Sequence, residues 1–213
     1  MNRVFVLSPA RSNGRRAQLL TRPEASFELA RQVRIGDAKL GDVFAFCSGL
    51  YFRGKLVYGQ RFAQPPGEVA GVQIITPTRG LLPPETRLGI EELREFVSVA
   101  VAADQRRFTR PLQRSAETLA AVSCEVILLG SIATGKYVDC LLPIFAQRLL
   151  FPSEFVGRGD MSRGALLLRC VADNKELNYI PVMGAARRGQ RPQSFRIPRK
   201  TLDSDSADRG TLT

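Results

Sequence analysis

The sequence predicts an α/β protein: a three-layer sandwich with a mostly parallel central sheet between helices. Two observations carry the prediction. Short apolar runs at residues 4–7 (VFVL), 72–76 (VQIIT), 125–129 (EVILL) and 149–151 (LLF) read as strands buried on both faces. Between them lie longer segments whose apolar residues recur at helical spacing. Length agrees with both. A chain of 213 residues, 44% hydrophobic, suits one domain with a tail. At this size a domain hides roughly 70% of its unfolded surface and needs neither disulfide nor metal to hold a core.

The elements follow in order. The strand at residues 4–7 is closed by Ser8-Pro9, and residues 8–16 (SPARSNGRR) form a loop by their Pro, Asn and Gly. Residues 24–34 are helical, with acids at the start and Phe27, Ala30, Arg31 and Arg34 at helix spacing. Residues 43–46 are apolar and ambiguous. Residues 51–62 (YFRGKLVYGQRF) suit a short helix weakened by Gly54 and Gly59, with Leu50, Phe52, Leu56 and Val57 as apolar positions. After the strand at 72–76 comes a turn-rich loop, residues 77–84 (PTRGLLPP). Helices are expected over 89–101 and 112–122, then the strand at 125–129. Residues 134–148 form the next helix, with Tyr137, Leu141, Leu142 and Phe145 on one face, and the strand at 149–151 stops at Pro152. A glycine loop at 157–160 precedes an amphipathic helix over 161–171. Residues 179–182 read as an edge strand, because Pro181 removes a ladder donor. The domain spans residues 1–183, and residues 184–213 are a basic tail rich in Arg, Pro and Gly, expected to be disordered.

Composition excludes several chemistries. There is no histidine, so the chain holds no Ser-His-Asp triad, no Cys-His pair and no His-ligated metal. Any general acid or base must be Asp, Glu, Lys, Tyr, Cys or an activated water. The four cysteines, Cys47, Cys124, Cys140 and Cys170, form no C-x-x-C pair and read as small buried hydrophobes. The carboxylates show no metal-ligand spacing, and no cofactor is implied. No apolar run reaches the length of a membrane span, and residues 1–22 lack the long apolar core of a signal peptide. A reduced, cytoplasmic protein without membrane contact is expected.

Charge gives the partner class. Lys and Arg number 31 against 20 acids, for a net +11. Residues 1–40 carry eight bases against three acids, and residues 185–200 carry six bases and no acid. Without the seven bases and three acids of residues 184–213 the body is still +7. This balance favours polyanions, nucleic acid above all, through counterion release. Arginine-rich surfaces also arise without a polyanionic partner.

In open α/β sheets ligands bind beyond the carboxyl ends of the strands. Four loops leave those ends, residues 8–16, 76–82, 130–136 and 153–163, and each contains a hydroxyl and a cation. Together they would form a rim suited to a phosphate or sugar-phosphate. On this reading Ser8, Arg11, Arg53, Lys55, Arg79, Ser131, Lys136, Arg158 and Arg163 contact phosphate. Residues 130–136 (GSIATGK) invite comparison with a P-loop. The spacing fails, and Tyr137 stands where a Ser or Thr is required after Lys136. An anion-binding turn, or an N-cap by Ser131 or Thr134, are the readings left open. Residues 157–164 (GRGDMSRG) read either as a glycine turn capped by Asp160 or as an anion and ribose clamp in which Asp160 acts as base. Tyr51 beside Arg53 and Lys55 is a core residue of a helix or a base-stacking ring.

These loops also resemble a known family. Phe5-Val6-Leu7-Ser8-Pro9-Ala10-Arg11 is similar to the strand-S/C-P-A-K opening of YaaA-like (peroxide-stress-type) bacterial proteins. Residues 49–55 (GLYFRGK) and 74–84 (IITPTRGLLPP) resemble the LY-x-x-x-F-r and ILSA-x-x-GLL-x-P blocks of the same domains. The resemblance covers residues 3–16 and 49–84. It implies a uracil-DNA glycosylase-like fold and a nucleic-acid or nucleobase setting. The water-activating motif and terminal His motif of the glycosylases are absent, which argues against classical uracil excision.

Three functions are therefore expected in order: a nucleic-acid- or nucleotide-binding protein using the basic rim; an enzyme acting on an N-glycosidic bond of a nucleoside or flipped base, with Asp160 as base or stabiliser and Tyr51 stacking on the base; and a protein-interaction module using the tail.

Overall fold

The structure is a computed structural model that describes residues 2–185. The tail expected to be disordered lies, from residue 186 on, outside the described residues.

The chain runs β1 (Arg3–Leu7), α1 (Arg15–Leu20), α2 (Glu28–Arg34), β2 (Ala38–Lys39), α3 (Leu40–Ser48), α4 (Leu50–Phe62), β3 (Val72–Thr76) and β4 (Gly80–Leu82). It continues with β5 (Arg87–Leu88), α5 (Ile90–Val97), α6 (Arg106–Ala120), β6 (Glu125–Leu129), α7 (Gly135–Phe145), β7 (Leu149–Pro152), α8 (Asp160–Ala172) and β8 (Tyr179–Pro181). Six strands form one mixed sheet in the order β4-β3-β1-β6-β7-β8. The inner four, β3, β1, β6 and β7, are parallel. The edges β4 and β8 are antiparallel to their neighbours. The α/β class and the mostly parallel sheet agree with the sequence pattern.

Alternation along the strands divides the core into two layers. Phe5, Leu7, Ile74, Ile127 and Leu129 face one way and pack with Phe52 and Leu56 of α4, Phe44 of α3 and Leu167 of α8. Val4, Val6, Ile75, Val126 and Leu128 face the other and pack with Phe108 and Leu112 of α6 and with Val138, Leu141 and Phe145 of α7. Each inner strand thus carries apolar residues on both sides, which is why these strands read as mostly apolar runs, Gln73 being the interruption in β3. Among the described residues no helix is long and apolar enough to cross a membrane.

Several elements depart from the sequence reading. Residues 77–84 are not only a loop: Thr76 Oγ1 accepts from the Arg79 N–H (3.1 Å) and donates to the Gly80 carbonyl (2.9 Å), closing a tight turn into β4. Gly80 sits at φ +68°, and a Cβ there would lie 2.3 Å from the Pro111 carbonyl oxygen. Only glycine lets β4 approach α6 this closely. The helix expected over 112–122 begins at Arg106, with Pro111 inside it, because the Gln105 side chain accepts from the Arg107 N–H (3.3 Å) and starts the helix early. The helix expected over 89–101 stops at Val97, and that expected over 24–34 starts at Glu28. The ambiguous residues 43–46 are the middle of α3, and a further helix, α1, emerges from the arginines of the first loop.

A second close backbone contact joins α4 to α8. A Cβ on Gly54 would come within 2.8 Å of the Gly164 carbonyl oxygen, and one on Gly164 within 2.9 Å of Tyr51 Cα. Backbone meets backbone here, so neither helix can yield by turning a side chain. We expect Gly54→Ala and Gly164→Ala each to destabilise the fold by about 1–3 kcal/mol or more, measured by urea unfolding. Unchanged midpoints in both variants would mean that the two helices are free to separate.

Candidate functional site

The order of the sheet reverses next to β1. From β1 the chain crosses to β3 on one side, while from β6 it crosses to β7 on the other. The β1 and β6 ends therefore flank a switch point, where open α/β sheets form crevices. The Ser8 N–H extends the pairing by donating to the Leu129 carbonyl (3.1 Å). Gly130 follows at once, and a Cβ on it would lie 3.0 Å from Ser8 Cβ, so the two strand ends stay close. The loops then diverge over a cleft of about 880 Å³, within the range of small-molecule sites.

Several residues singled out in the sequence line this cleft. Ser8, Arg11, Tyr51, Lys55, Ser131, Lys136 and Asp160 all do. The structure does not bring the others there. Arg79 is held by Glu95 (2.7 and 3.1 Å) and Glu92 (3.5 Å) on α5. Arg158 donates to the Glu154 carbonyl (2.9 Å) and to Ser162 Oγ (3.1 Å). Arg163, its side chain 12% exposed, turns inward to donate twice to the Phe155 carbonyl (2.9 and 3.2 Å) and lies over the Phe155 ring. Arg53 is exposed on α4 and does not line the cleft.

Lys55 is the least ordinary residue in the group. The sequence reading placed it on a phosphate-binding rim, but it lies on the cleft floor with 1% of its surface exposed. Its ammonium nitrogen donates to the Ser8 carbonyl (2.5 Å) and to Ser8 Oγ (2.8 Å). It also sits 4.6 Å from the centre of the Tyr51 ring and 4.9 Å from that of Phe52. These partners are neutral, and burial pulls the Lys55 pKa down to about 7. The Asp160 carboxylate works against the shift and the Arg163 guanidinium adds to it. Position explains the burial. Lys55 follows Tyr51 by four residues and Phe52 by three, which puts it on the inner face of α4. That spacing was a readable signal that Lys55 belongs to the core.

Tyr51 is 8% exposed. Lys55 approaches its ring, and Phe155 packs against it edge-on with centroids 6.4 Å apart. The ring is thus committed to packing rather than offered to a base. Its hydroxyl is buried and meets no partner within the protein, and burial raises its pKa to about 12 against the opposing Arg163 charge. Asp160 is the first residue of α8, after Gly159 at the N-cap, with its side chain 75% exposed and 3.9 Å from Arg163 Nη1. In the 130–136 loop, Thr134 occupies the N-cap of α7 without a side-chain bond, while Ser131 Oγ accepts from the Ala133 N–H (3.3 Å).

The sequence reading missed other parts of the lining. Tyr137 and Cys47 both face the cleft, and burial raises both, the Cys47 thiol to about 12. Cys124, Cys140 and Cys170 are buried and free, as small core residues would be.

No family model matches the chain, and no curated protein or solved structure matches it.

The Lys55 geometry makes stability depend on pH. Its pKa is lower in the folded state than the ordinary value near 10.4, so between about pH 7 and pH 10 the unfolded chain binds more protons. Lys55 therefore costs most below pH 7, and the cost fades as pH rises. We expect Lys55→Met to gain stability over the wild type at pH 6 and to lose that advantage towards pH 9.5, as followed by chemical denaturation. A difference that stays constant across this range would show that Lys55 keeps its charge in the folded state.

Proposed function

We propose that the chain binds a nucleotide, free or as one unit of a nucleic acid, in the cleft beyond β1 and β6. One observation carries the reading. Arg11, Lys136 and Ser131 converge with the unpartnered Tyr51 hydroxyl on a single cleft at the sheet's switch point. The cations and hydroxyls suit phosphate and sugar, and a buried donor without a partner suits a polar atom of the base. The volume supports one nucleotide entering the cleft rather than a duplex lying in it. Arg15, exposed on α1 next to the cleft loop, extends the positive surface along which a nucleic-acid backbone would run. A uracil-DNA glycosylase-like fold of the YaaA-like kind belongs to the same proposal; parallel strands with a cleft at their carboxyl ends would suit it as they suit other open α/β sheets.

The glycosidic reading attaches to the same cleft, because Asp160 lines it. There Asp160 would stabilise positive charge developing on the sugar. With Tyr51 committed to packing, this reading rests on the carboxylate alone.

Calorimetry with mononucleotides and short oligonucleotides at two salt concentrations tests binding. We expect Arg11→Ala and Lys136→Ala each to weaken phosphate-bearing ligands about tenfold or more, the loss of one charge-assisted hydrogen bond, and to leave nucleosides nearly unaffected. Full affinity in both variants, or no binding by the wild type, would refute the reading. For the second function, Asp160→Asn should abolish release of free base from nucleosides or oligonucleotides while sparing their binding. Unchanged turnover would remove Asp160 from the chemistry.

A further inference from the structure

We propose that Ser8 and Lys55 form a nucleophile–base pair, and that Ser8 accepts an acyl group from an ester carried by a phosphate-bearing molecule. The acyl-transfer chemistry stands on the pair itself. The choice of a phosphate-bearing substrate rests on the nucleotide reading of the cleft.

Tyrosines and cysteines aside, three side chains in the described core are polar or charged: Ser8, Lys55 and Thr76. Thr76 closes the β3–β4 turn. Ser8 and Lys55 close no turn. They are bound to each other, and both open onto the cleft. A buried cation with neutral partners costs stability that an apolar pair would not, so its role is sought in the cleft it faces.

The geometry is that of an activated nucleophile: hydroxyl and base within hydrogen-bond reach, and the base oriented by a third group. Ser8 Oγ lies 2.8 Å from Lys55 Nζ. The Ser8 carbonyl, 2.5 Å away, takes a second bond and fixes the amine beneath the hydroxyl. Without histidine, lysine is a base that can serve a serine near neutral pH once burial disfavours its charged form. The Tyr51 ring, 4.6 Å from Nζ, belongs to the same wall and carries a hydroxyl without a partner. That hydroxyl is a donor available to an oxyanion.

The steps balance without any redox partner. Neutral Nζ takes the Ser8 hydroxyl proton as Oγ bonds to the ester carbonyl carbon, giving a tetrahedral oxyanion. The oxyanion collapses, the bond to the leaving alcohol breaks, and the Nζ ammonium protonates the departing oxygen. Water, deprotonated by the same amine, then attacks the Ser8 ester; the acyl–Oγ bond breaks, the Nζ ammonium returns its proton to Oγ, and a carboxylic acid leaves.

The test is labelling of the purified full chain with an alkyl fluorophosphonate between pH 5.5 and 9, with the adduct mapped by peptide mass spectrometry. This probe carries no nucleotide, so it tests the pair separately from the binding reading. We expect one adduct, on Ser8, forming faster as pH rises through about 7 and absent in Ser8→Ala. Lys55→Met should slow it about a hundredfold or more, in the range of a lost general base. The wild-type pH profile needs no variant, so the test stands even where Lys55→Met folds poorly. No adduct on Ser8 in the folded wild type overturns the pair, as does labelling spread over several serines or without the pH dependence. AMP that slows labelling places the phosphate-bearing ligand over Ser8. AMP without effect overturns that substrate class, while a Ser8 adduct still upholds the pair.

Discussion

The close contact of α4 with α8 at Gly54 and Gly164 is the constraint on which the cleft depends. With no side chain between them at the crossing, the two backbones touch, and the residues next to the crossing are fixed as a unit. Tyr51 and Lys55 flank Gly54 on α4, while Asp160 and Arg163 precede Gly164 on α8. Wider spacing would lift α4 away from β1 and draw Lys55 from beneath Ser8. It would also part Tyr51 from Phe155. The sheet supplies the other half of the frame, since the β1 and β6 ends meet at Ser8 and Gly130 and then diverge.

Within that frame, electrostatics separates surface from site. The chain is strongly basic, but much of the charge is spent locally. Arg79 is bound by α5 carboxylates, Arg31 and Arg94 by acids three residues earlier on their own helices, and Arg87 by Asp37. Such exposed pairs add little stability, yet they reduce the field those arginines offer to a ligand. Arg158 and Arg163 are tied to carbonyls instead. Arg11 and Lys136 are what the cleft gains from the surplus, together with a lysine that burial holds near the point of losing its proton. Net charge therefore names a class of partner, and the cleft selects which cations meet it.

The fold was legible where physics is local. The four inner strands appear as short, mostly apolar runs because each is covered on both faces, and the edge strand at Tyr179–Pro181 shows itself through its proline. What depended on distant contacts was not legible. The β4 hairpin forms because Gly80 tolerates the Pro111 carbonyl, a residue 31 positions away, and PTRGLLPP alone reads as turn and loop. The same holds for the site. Loop composition picked out Ser8, Arg11, Ser131, Lys136 and Asp160, which the switch point brings together. It also picked out Arg79, held by carboxylates 16 and 13 positions away, and Arg158 and Arg163, whose backbone-carbonyl partners lie close in sequence but leave no mark on composition. Lys55 was found for the wrong reason: a cation among aromatics looks like a phosphate ligand until helical periodicity turns it inward.

That inward turn decides between the two bases the cleft contains. Asp160 stands at the helix start in contact with water, its side chain 75% exposed and 3.9 Å from the Arg163 guanidinium. It can attract a cation or a sugar that becomes one, but nothing around it desolvates it. Lys55 is its opposite, dry, held by two bonds to one serine, and shifted by burial towards the neutral amine. A base must give up its proton in the resting state and recover it in the transition state, and desolvation of a lysine supplies both tendencies near neutral pH. The two residues thus suit different tasks in one cleft: Asp160 to oppose positive charge at the mouth, and Lys55 to move a proton at the floor, where the hydroxyl of Ser8 is the group it can reach.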